Sequence, residues 1–197
     1  WGEAVHVVAT VESLLGRTIP KEGLLETAVE LKVGGRYDLK ELAQRLVKSG
    51  YVRTAKVEGA GQFARRGGIL DFFSPREQSP VRMEFWGDEI DSMGTFDPGT
   101  QRRVKNVSSA LVLPAAEVLP HSAEGGAAAL GEKLLKLADK LAKKEKTELA
   151  AARVREDGEK LKNGADPGGM DRYLAAVYPE STAAVHYLPP DAVVFFC

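Results

Sequence analysis

Apolar residues follow one another in different ways along this chain, and each way predicts a different kind of structure. The run AVHVVATV at residues 4–11 is almost continuously apolar, as expected of a strand buried on both faces in a parallel sheet. The run DAVVFFC at residues 191–197 has the same character. Between these runs, apolar residues recur at helical spacing in some stretches and at every second position in others. The pattern predicts an α/β frame at both ends with a separate unit between them.

The strongest helix signal is the stretch DLKELAQRLVKSG, which starts at Asp38. Leu39, Leu42 and Leu46 recur at helical spacing and form one apolar stripe. Asp38 is a favourable N-cap, and Gly50 occupies the position of a C′ glycine. We therefore predict a helix between these two residues.

From Tyr51 to about Ala115 the apolar residues recur at every second position, which predicts β-strands. Clusters of Gly, Pro, Asp and Ser separate the strands at intervals typical of an antiparallel meander, and the letters WGDE predict a tight turn. The five strand candidates are YVRTAKVE (51–58), QFARRGGILDFF (62–73), VRMEFWGD (81–88), EIDSMGTF (89–96) and VSSALVLPA (107–115).

From His121 to about Leu161 the composition shifts to Ala, Leu, Lys and Glu, which predicts a long amphipathic helical segment. Ten basic and eight acidic side chains lie between Glu124 and Lys162, a balance that indicates a solvated helix face rather than a partner surface. The stretch NGADPGGM ends this segment, and MDRYLAAVY predicts a short helix.

Composition narrows the class of protein. The 197 residues carry 27 basic and 28 acidic side chains, which argues against a protein that coats nucleic acid but allows a local basic patch. The single cysteine, Cys197, excludes a disulfide framework and indicates a reducing, intracellular setting. No apolar run reaches the roughly 18–20 residues that span a bilayer, so we expect no membrane partner. The start WGEAVHVVAT has neither Met nor a signal-peptide shape, so we expect a piece of a longer protein.

Motifs for catalysis and cofactor binding are missing from the sequence. It contains no G-x-x-x-x-G-K-[ST] loop, and its glycine pairs do not fit a dinucleotide-binding turn. His6, His121 and His186 lie far apart and have no ligand-spaced partners. The acidic residues around Asp88 are more typical of a solvated hairpin end than of a magnesium site. We therefore expect no catalytic, cofactor-binding or metal-binding residues.

The hairpin-like stretch GQFARRGGILDFF combines two arginines with two glycines. The glycines permit a bulge or a close backbone approach. Strand alternation places Arg66 on the face of Ala64 and Arg65 on the opposite face. An arginine held on a rigid sheet can donate two hydrogen bonds to a carboxylate or phosphate of a partner. The alternative, which spacing alone favours, is an internal ion pair with Glu58, Asp71 or Glu84.

Two longer stretches, GYVRTAKVEGAGQFARRGGILDFFSP and PVRMEFWGDEIDSMGTFDPGTQR, resemble the domain that the bacterial repair proteins UvrB and Mfd share. In both families this domain binds UvrA, the damage-recognition ATPase of nucleotide excision repair. UvrB has an FRVRG-type pattern, whereas here Ala64 replaces the first arginine. The compact YLAAVYPESTAAVHYLPPD is similar to the amino-terminal region of Mfd, the transcription-repair coupling factors, so the resemblance favours Mfd over UvrB.

The resemblance implies an architecture of the α/β class. Residues 1–35 and 120–197 would be parts of a degenerate, RecA-like, UvrB-like α/β domain. Residues 36–119 would be an inserted α+β domain, a helix plus an antiparallel meander, that binds UvrA. The parent protein would be an ATP-dependent DNA translocase of the bacterial cytoplasm. Its ATP and magnesium sites and its contacts with RNA polymerase and double-stranded DNA would lie in other parts.

The resemblance also implies the residues that contact UvrA. Arg53 and Arg66 match the family's UvrA-contacting arginines, with charge-assisted pairing to carboxylates of UvrA as their expected role. Arg65 is a further candidate. Phe73 is either a core residue or an interface anchor, whereas Phe63 and Phe85 are expected in the core.

The function predicted from the sequence is that of an adaptor that recruits UvrA to stalled RNA polymerase and performs no catalysis itself. A part of an ATPase or helicase is a second hypothesis, which the missing phosphate-binding loop disfavours. Direct DNA binding is a third, which the near-neutral net charge of −1 disfavours. The arginines that would bind DNA are Arg53, Arg65, Arg66, Arg82, Arg102 and Arg103.

Overall fold

The computed structural model describes residues 7–194 and divides them into two compact units. One unit comprises residues 22–121, and the other combines the described residues up to 21 with those from 122 onward. The α-helices are α1 (Val11–Leu15), α2 (Lys21–Thr27), α3 (Leu39–Lys48), α4 (Gly126–Leu141), α5 (Glu148–Lys162) and α6 (Leu174–Val177). The strands are β1 (Arg17–Thr18), β2 (Val29–Lys32), β3 (Val52–Arg53), β4 (Gln62–Arg66), β5 (Ile69–Phe72), β6 (Val81–Trp86), β7 (Glu89–Phe96), β8 (Arg103–Asn106), β9 (Ser109–Val112) and β10 (Thr182–Ala183). Short 3-10 helices lie at Pro120–Ser122, Met170–Tyr173 and Ala184–Tyr187.

The unit of residues 22–121 is built on a six-stranded sheet with the strand order β3-β4-β5-β6-β7-β8. Neighbouring strands are antiparallel except β3 and β4, which are parallel. The predicted antiparallel meander is therefore confirmed from β4 to β8. The combination of helices and sheets also confirms the predicted α/β class, while the RecA-like detail stays a prediction.

The first strand of this sheet joins it in an unexpected direction. The stretch YVRTAKVE forms only the short β3, and the loop that follows carries the chain back to the same end of the sheet. The amide of Val52 donates to the carbonyl of Gly61 at 2.9 Å, and that of Thr54 donates to Phe63 at 2.8 Å. These bonds run along a parallel edge, so the predicted antiparallel pairing is wrong here.

Two other strand predictions need correction. QFARRGGILDFF holds two strands, because Gly67-Gly68 form the turn between β4 and β5 rather than a bulge. The close backbone approach that these glycines permit is observed, since the amide of Phe85 donates to the carbonyl of Gly68 at 2.8 Å. The candidate at 107–115 leaves the meander, because its strand β9 pairs with β2 in a separate two-stranded sheet. Strand β8 forms the edge of the six-stranded sheet beside β7. All four of its residues are exposed, so it lacks the alternation of buried and exposed positions that predicts a strand.

Helix α3 covers one face of the six-stranded sheet, as its apolar stripe predicts. Its N-cap is Asp38, whose Oδ1 accepts hydrogen bonds from the amides of Lys40 at 2.7 Å and Glu41 at 2.9 Å. Beyond the helix, Gly50 has a φ of +84°, a value that favours glycine at the C′ position. The main core contains Leu31, Leu42, Leu46, Tyr51, Phe63, Leu70, Phe72, Val81, Met83, Ile90, Met93 and Val112.

The predicted domain boundary at residue 36 differs from the compact unit observed. Strand β2 pairs with β9 from Val29↔Val112 to Lys32↔Ser109, and Leu31 of β2 is fully buried in the main core. This pairing ties the segment before residue 36 to the sheet-bearing unit, which extends to residue 121 rather than 119.

The predicted buried strands at the two ends are wrong where the structure describes them. Residues 7–10 have no regular structure and residues 11–15 are helical, with Val8 fully exposed; residues 4–6 lie outside the described range. Residues 191–194 are not in a strand, and 195–197 again lie outside the described range. A strand buried in a parallel sheet needs strands on both sides, and no described strand pairs with either segment.

The second unit contains a helical hairpin. The helical segment predicted from His121 to Leu161 is two helices, α4 and α5, because turns at residues 142–147 interrupt it. The helices approach closely where glycines face each other: a Cβ added to Gly131 would lie 2.7 Å from the carbonyl oxygen of Gly158. The predicted short helix after Gly169 is confirmed as a 3-10 turn that continues into α6.

A core substitution tests the packing of α3 on the sheet. Leu46→Ala removes a side chain that is 1% exposed, so we expect it to lower the free energy of unfolding by about 2–5 kcal/mol in urea denaturation. The matched control is Val47→Ala on the same helix, where the side chain is 55% exposed and the expected change is about 0.5 kcal/mol or less. Equal losses for the two variants would contradict this packing.

Candidate functional site

The two faces of the six-stranded sheet have different chemistry. The face covered by α3, here called the helix face, carries Phe63, Leu70 and Met83 in the main core. The opposite face, here called the polar face, is set by the strand register and carries ionised side chains. Across the strands it contains the two rows Ala64–Asp71–Arg82–Gly94 and Arg66–Ile69–Glu84–Ser92.

A buried carboxylate lies at the centre of the polar face. The Asp71 side chain is 1% exposed and accepts three hydrogen bonds. Two come from Arg82, whose Nε and Nη2 lie 2.8 Å from Oδ1 and Oδ2 respectively, and the third comes from Nη2 of Arg66, which lies 2.9 Å from Oδ2. A carboxylate out of water requires such partners, so this cluster fixes both arginines.

Arg82 is held on every side of its guanidinium. Besides Asp71, it donates to the backbone carbonyl of Gln101 at 3.2 Å and to its side-chain oxygen at 3.3 Å. Its guanidinium carbon lies 4.5 Å from the centre of the Phe96 ring, a cation–π contact. The hydrogen bond with Asp71 raises the pKa of Arg82 further above its usual value. Arg82 is therefore a structural member of the polar face.

Arg66 is the exposed member of the same cluster. Its side chain is 50% exposed, and its bond to Asp71 is the internal ion pair that spacing alone favoured. The other two acids considered have different partners, since Glu58 pairs with Lys56 at 3.3 Å and Glu84 pairs with Arg103 at 2.7 Å. Arg66 therefore combines a fixed position with an accessible guanidinium.

The sequence reasoning missed the importance of Arg82 and Arg103. Arg82 lies opposite Asp71 in the register of β5 and β6. Arg103 lies on β8, the strand that was not predicted, and its guanidinium contacts Glu84, Ser92 and Asn106. Arg82 and Glu84 are two residues apart in one predicted strand, so alternation places both side chains on the same face of the sheet. This signal could have identified these two members of the ion-pair network.

The structure places Arg53 on the other side of the sheet from Arg66. In the parallel register Arg53 lies opposite Phe63, a residue of the helix face. Arg53 is exposed, and its side chain has no ion pair or hydrogen bond within residues 7–194. The two predicted arginines therefore flank the edge of the sheet from opposite faces.

The remaining candidates divide between the faces. Arg65 is half-buried and, as alternation predicts, shares the face of Phe63. The pKa of Asp38 is lowered mainly by hydrogen bonds from backbone amides, and the charge of Arg65 adds to this effect. Phe73 is partly buried against Val57, Ala64 and Phe96, a small cluster separate from the main core.

The predicted core phenylalanines are confirmed. Phe63 is 1% exposed and belongs to the main core. Phe85 is partly buried and packs against the same core.

The charges of the polar face do not form a free basic patch. Of the six arginines considered for DNA binding, Arg66 and Arg82 share Asp71, and Arg103 pairs with Glu84. An arginine whose charge is already balanced by an internal carboxylate neutralises a DNA phosphate less effectively and therefore releases fewer of the cations condensed on DNA, so this arrangement favours a protein partner over DNA.

Two further searches cover only residues 7–194. No group of three or more His, Cys, Asp or Glu side chains in this range is placed to hold a metal ion. None of the helices in this part of the chain has the length and apolar character needed to cross a bilayer.

Comparison with known proteins identifies the sheet-bearing unit. Residues 29–118 match the family model of the UvrB interaction domain. The chain is 32% identical to the transcription-repair-coupling factor of Myxococcus xanthus over 91% of its length and 29% identical to that of Bacillus subtilis over 98%. It is 37% identical to the UvrABC system protein B of Gloeobacter violaceus, but over only 56% of its length.

These relatives are much longer proteins. The matched region amounts to 14% of the Myxococcus xanthus protein, 17% of the Bacillus subtilis protein and 16% of the Gloeobacter violaceus protein. The chain thus spans less than a fifth of the curated relatives that it matches. The Myxococcus xanthus and Bacillus subtilis coupling factors match nearly the whole chain, whereas UvrABC system protein B and other coupling factors match about half of it.

Neutralising the central carboxylate tests the polar face. Asp71→Asn keeps the shape of the side chain but leaves Arg82, 17% exposed, without its counter-charge. We expect a loss of about 3 kcal/mol in the free energy of unfolding, measured by urea denaturation.

The matched control for this variant is Glu84→Gln. It removes a carboxylate from the more exposed pair with Arg103, for which we expect a loss of about 1 kcal/mol or less. If the two variants were equally stable, Asp71 would not hold the polar face together.

Proposed function

Because this chain belongs to the transcription-repair-coupling factor family and contains a UvrB interaction domain, we propose that it is an adaptor region that binds UvrA. In this proposal the region recruits UvrA to RNA polymerase stalled at DNA damage. It acts by binding alone, and the ATP-driven steps and the contacts with polymerase and DNA belong to other parts of the parent protein.

The observation that carries this proposal is the state of Arg66. Asp71 shares its one negative charge between Arg66 and Arg82, so the group of three keeps a net charge of +1. The guanidinium of Arg66 is already ordered by one hydrogen bond and is half exposed. A partner carboxylate can therefore bind it with little further loss of side-chain freedom.

Arg53 complements Arg66 in a different way. It is exposed on the edge strand β3 and has no internal partner among the described residues, so its full charge is available to a second carboxylate. Because the two arginines lie on opposite sides of the sheet edge, we propose that UvrA wraps this edge instead of resting on one face. Arg65 and Phe73 are secondary candidates of the same proposal.

Replacing either arginine tests the proposed contact. Arg53→Ala and Arg66→Ala are each expected to weaken binding of purified UvrA by about 2 kcal/mol, roughly thirty-fold in Kd, in titration calorimetry. Both variants should stay folded, since Arg53 has no partner to lose and Arg82 still pairs with Asp71 when Arg66 is removed.

Arg45→Ala is the control for general loss of charge. Arg45 is exposed on α3, within the same unit but outside the six-stranded sheet that carries Arg53 and Arg66, so its removal is expected to leave the Kd unchanged. Parent-like affinity of both test variants would refute the proposed contact, and equal weakening by all three variants would indicate non-specific electrostatic attraction.

A further inference from the structure

An exposed tryptophan ends strand β6 and has no role in the site described so far. Trp86 is 84% exposed, although tryptophan has one of the largest apolar side chains. Alternation along β6 places it on the polar face with Arg82 and Glu84, because Met83 and Phe85 pack against the main core. It therefore lies on the same side of the sheet as Arg66.

The backbone that carries Trp86 is firmly held. Trp86 pairs with Glu89 across a two-residue turn in which Gly87 has a φ of +64°. The preceding residue, Phe85, packs against the core, and its amide donates to the carbonyl of Gly68 at 2.8 Å. This turn therefore lies beside the turn between β4 and β5, which begins immediately after Arg66.

The distance between Trp86 and Arg66 suits a single interface. Arg66, Ile69 and Glu84 lie in one row across three strands, and Trp86 is two residues beyond Glu84. With strands about 4.8 Å apart and a rise of about 3.3 Å per residue, the two backbone positions are roughly 12 Å apart. A standard interface covers about 800 Å² of each partner and would include both residues.

We propose that Trp86 is a second anchor for UvrA and inserts into an apolar pocket of that protein beside the acidic group that binds Arg66. Tryptophan and arginine are the residue types that most often dominate binding energy. On the same face, the pair of Glu84 on β6 and Arg103 on β8 forms a polar part of the surface that is already satisfied internally. This inference rests on the proposed function and adds an aromatic contact to it.

The test uses the 197-residue chain, purified UvrA and titration calorimetry. Trp86→Ala is expected to raise the Kd at least thirty-fold, and Trp86→Phe, which keeps an aromatic ring, should raise it less. The matched control is Leu149→Ala, because Leu149 is an apolar side chain that is 90% exposed in the other unit. Urea denaturation should give the same midpoint for Trp86→Ala and the parent, since Trp86 buries little surface.

Photo-crosslinking gives a readout independent of affinity. A p-benzoylphenylalanine placed at position 86 should crosslink to purified UvrA, whereas one placed at position 149 should not. If Arg66→Ala weakens binding while Trp86→Ala does not and position 86 fails to crosslink, the second anchor is refuted and the adaptor function survives. If the parent chain does not bind UvrA, both proposals fail together.

Discussion

The polar face depends on one buried carboxylate, that of Asp71. An ionised group with a side chain 1% exposed is tolerated only when hydrogen bonds replace water, and two arginines supply three of them. The register of β4, β5 and β6 makes this possible by placing Ala64, Asp71 and Arg82 in one row. A shift of one residue would move Asp71 into the apolar layer of Leu70 and Phe72, so the ion cluster and the strand register support each other.

Elements with strong local signals could be predicted from the sequence. The α3 helix follows from the leucine spacing, the Asp38 cap and the C′ glycine at position 50. Strands β6 and β7 follow from alternation and from the turn at Gly87. In each case the deciding interactions lie within a few residues of one another.

Features that depend on distant partners could not be predicted. The pairing of β9 with β2 joins strands far apart in sequence, and it leaves the position beside β7 to β8. The parallel entry of β3 depends instead on the path of the loop between β3 and β4, which alternation within the strands does not indicate. The candidate site shows the same limit, because spacing allows three acids as partners for Arg66. The choice of Asp71 depends on the strand pairing that also brings in Arg82. The exposure of Trp86 likewise depends on which strands lie beside the end of β6.

The internal pairing of charges determines what kind of partner the polar face can recognise. A field of unpaired arginines would attract any polyanion, including DNA, over a long range. Here three arginines, Arg66, Arg82 and Arg103, share two carboxylates and keep a net charge of only +1, so attraction at a distance is weak and recognition requires close geometric fit. In the proposed interface, the partner offers a carboxylate to Arg66 and an apolar pocket to Trp86. Such a demand excludes most anionic surfaces, because a partner that meets only one of the two conditions leaves the other group desolvated without compensation.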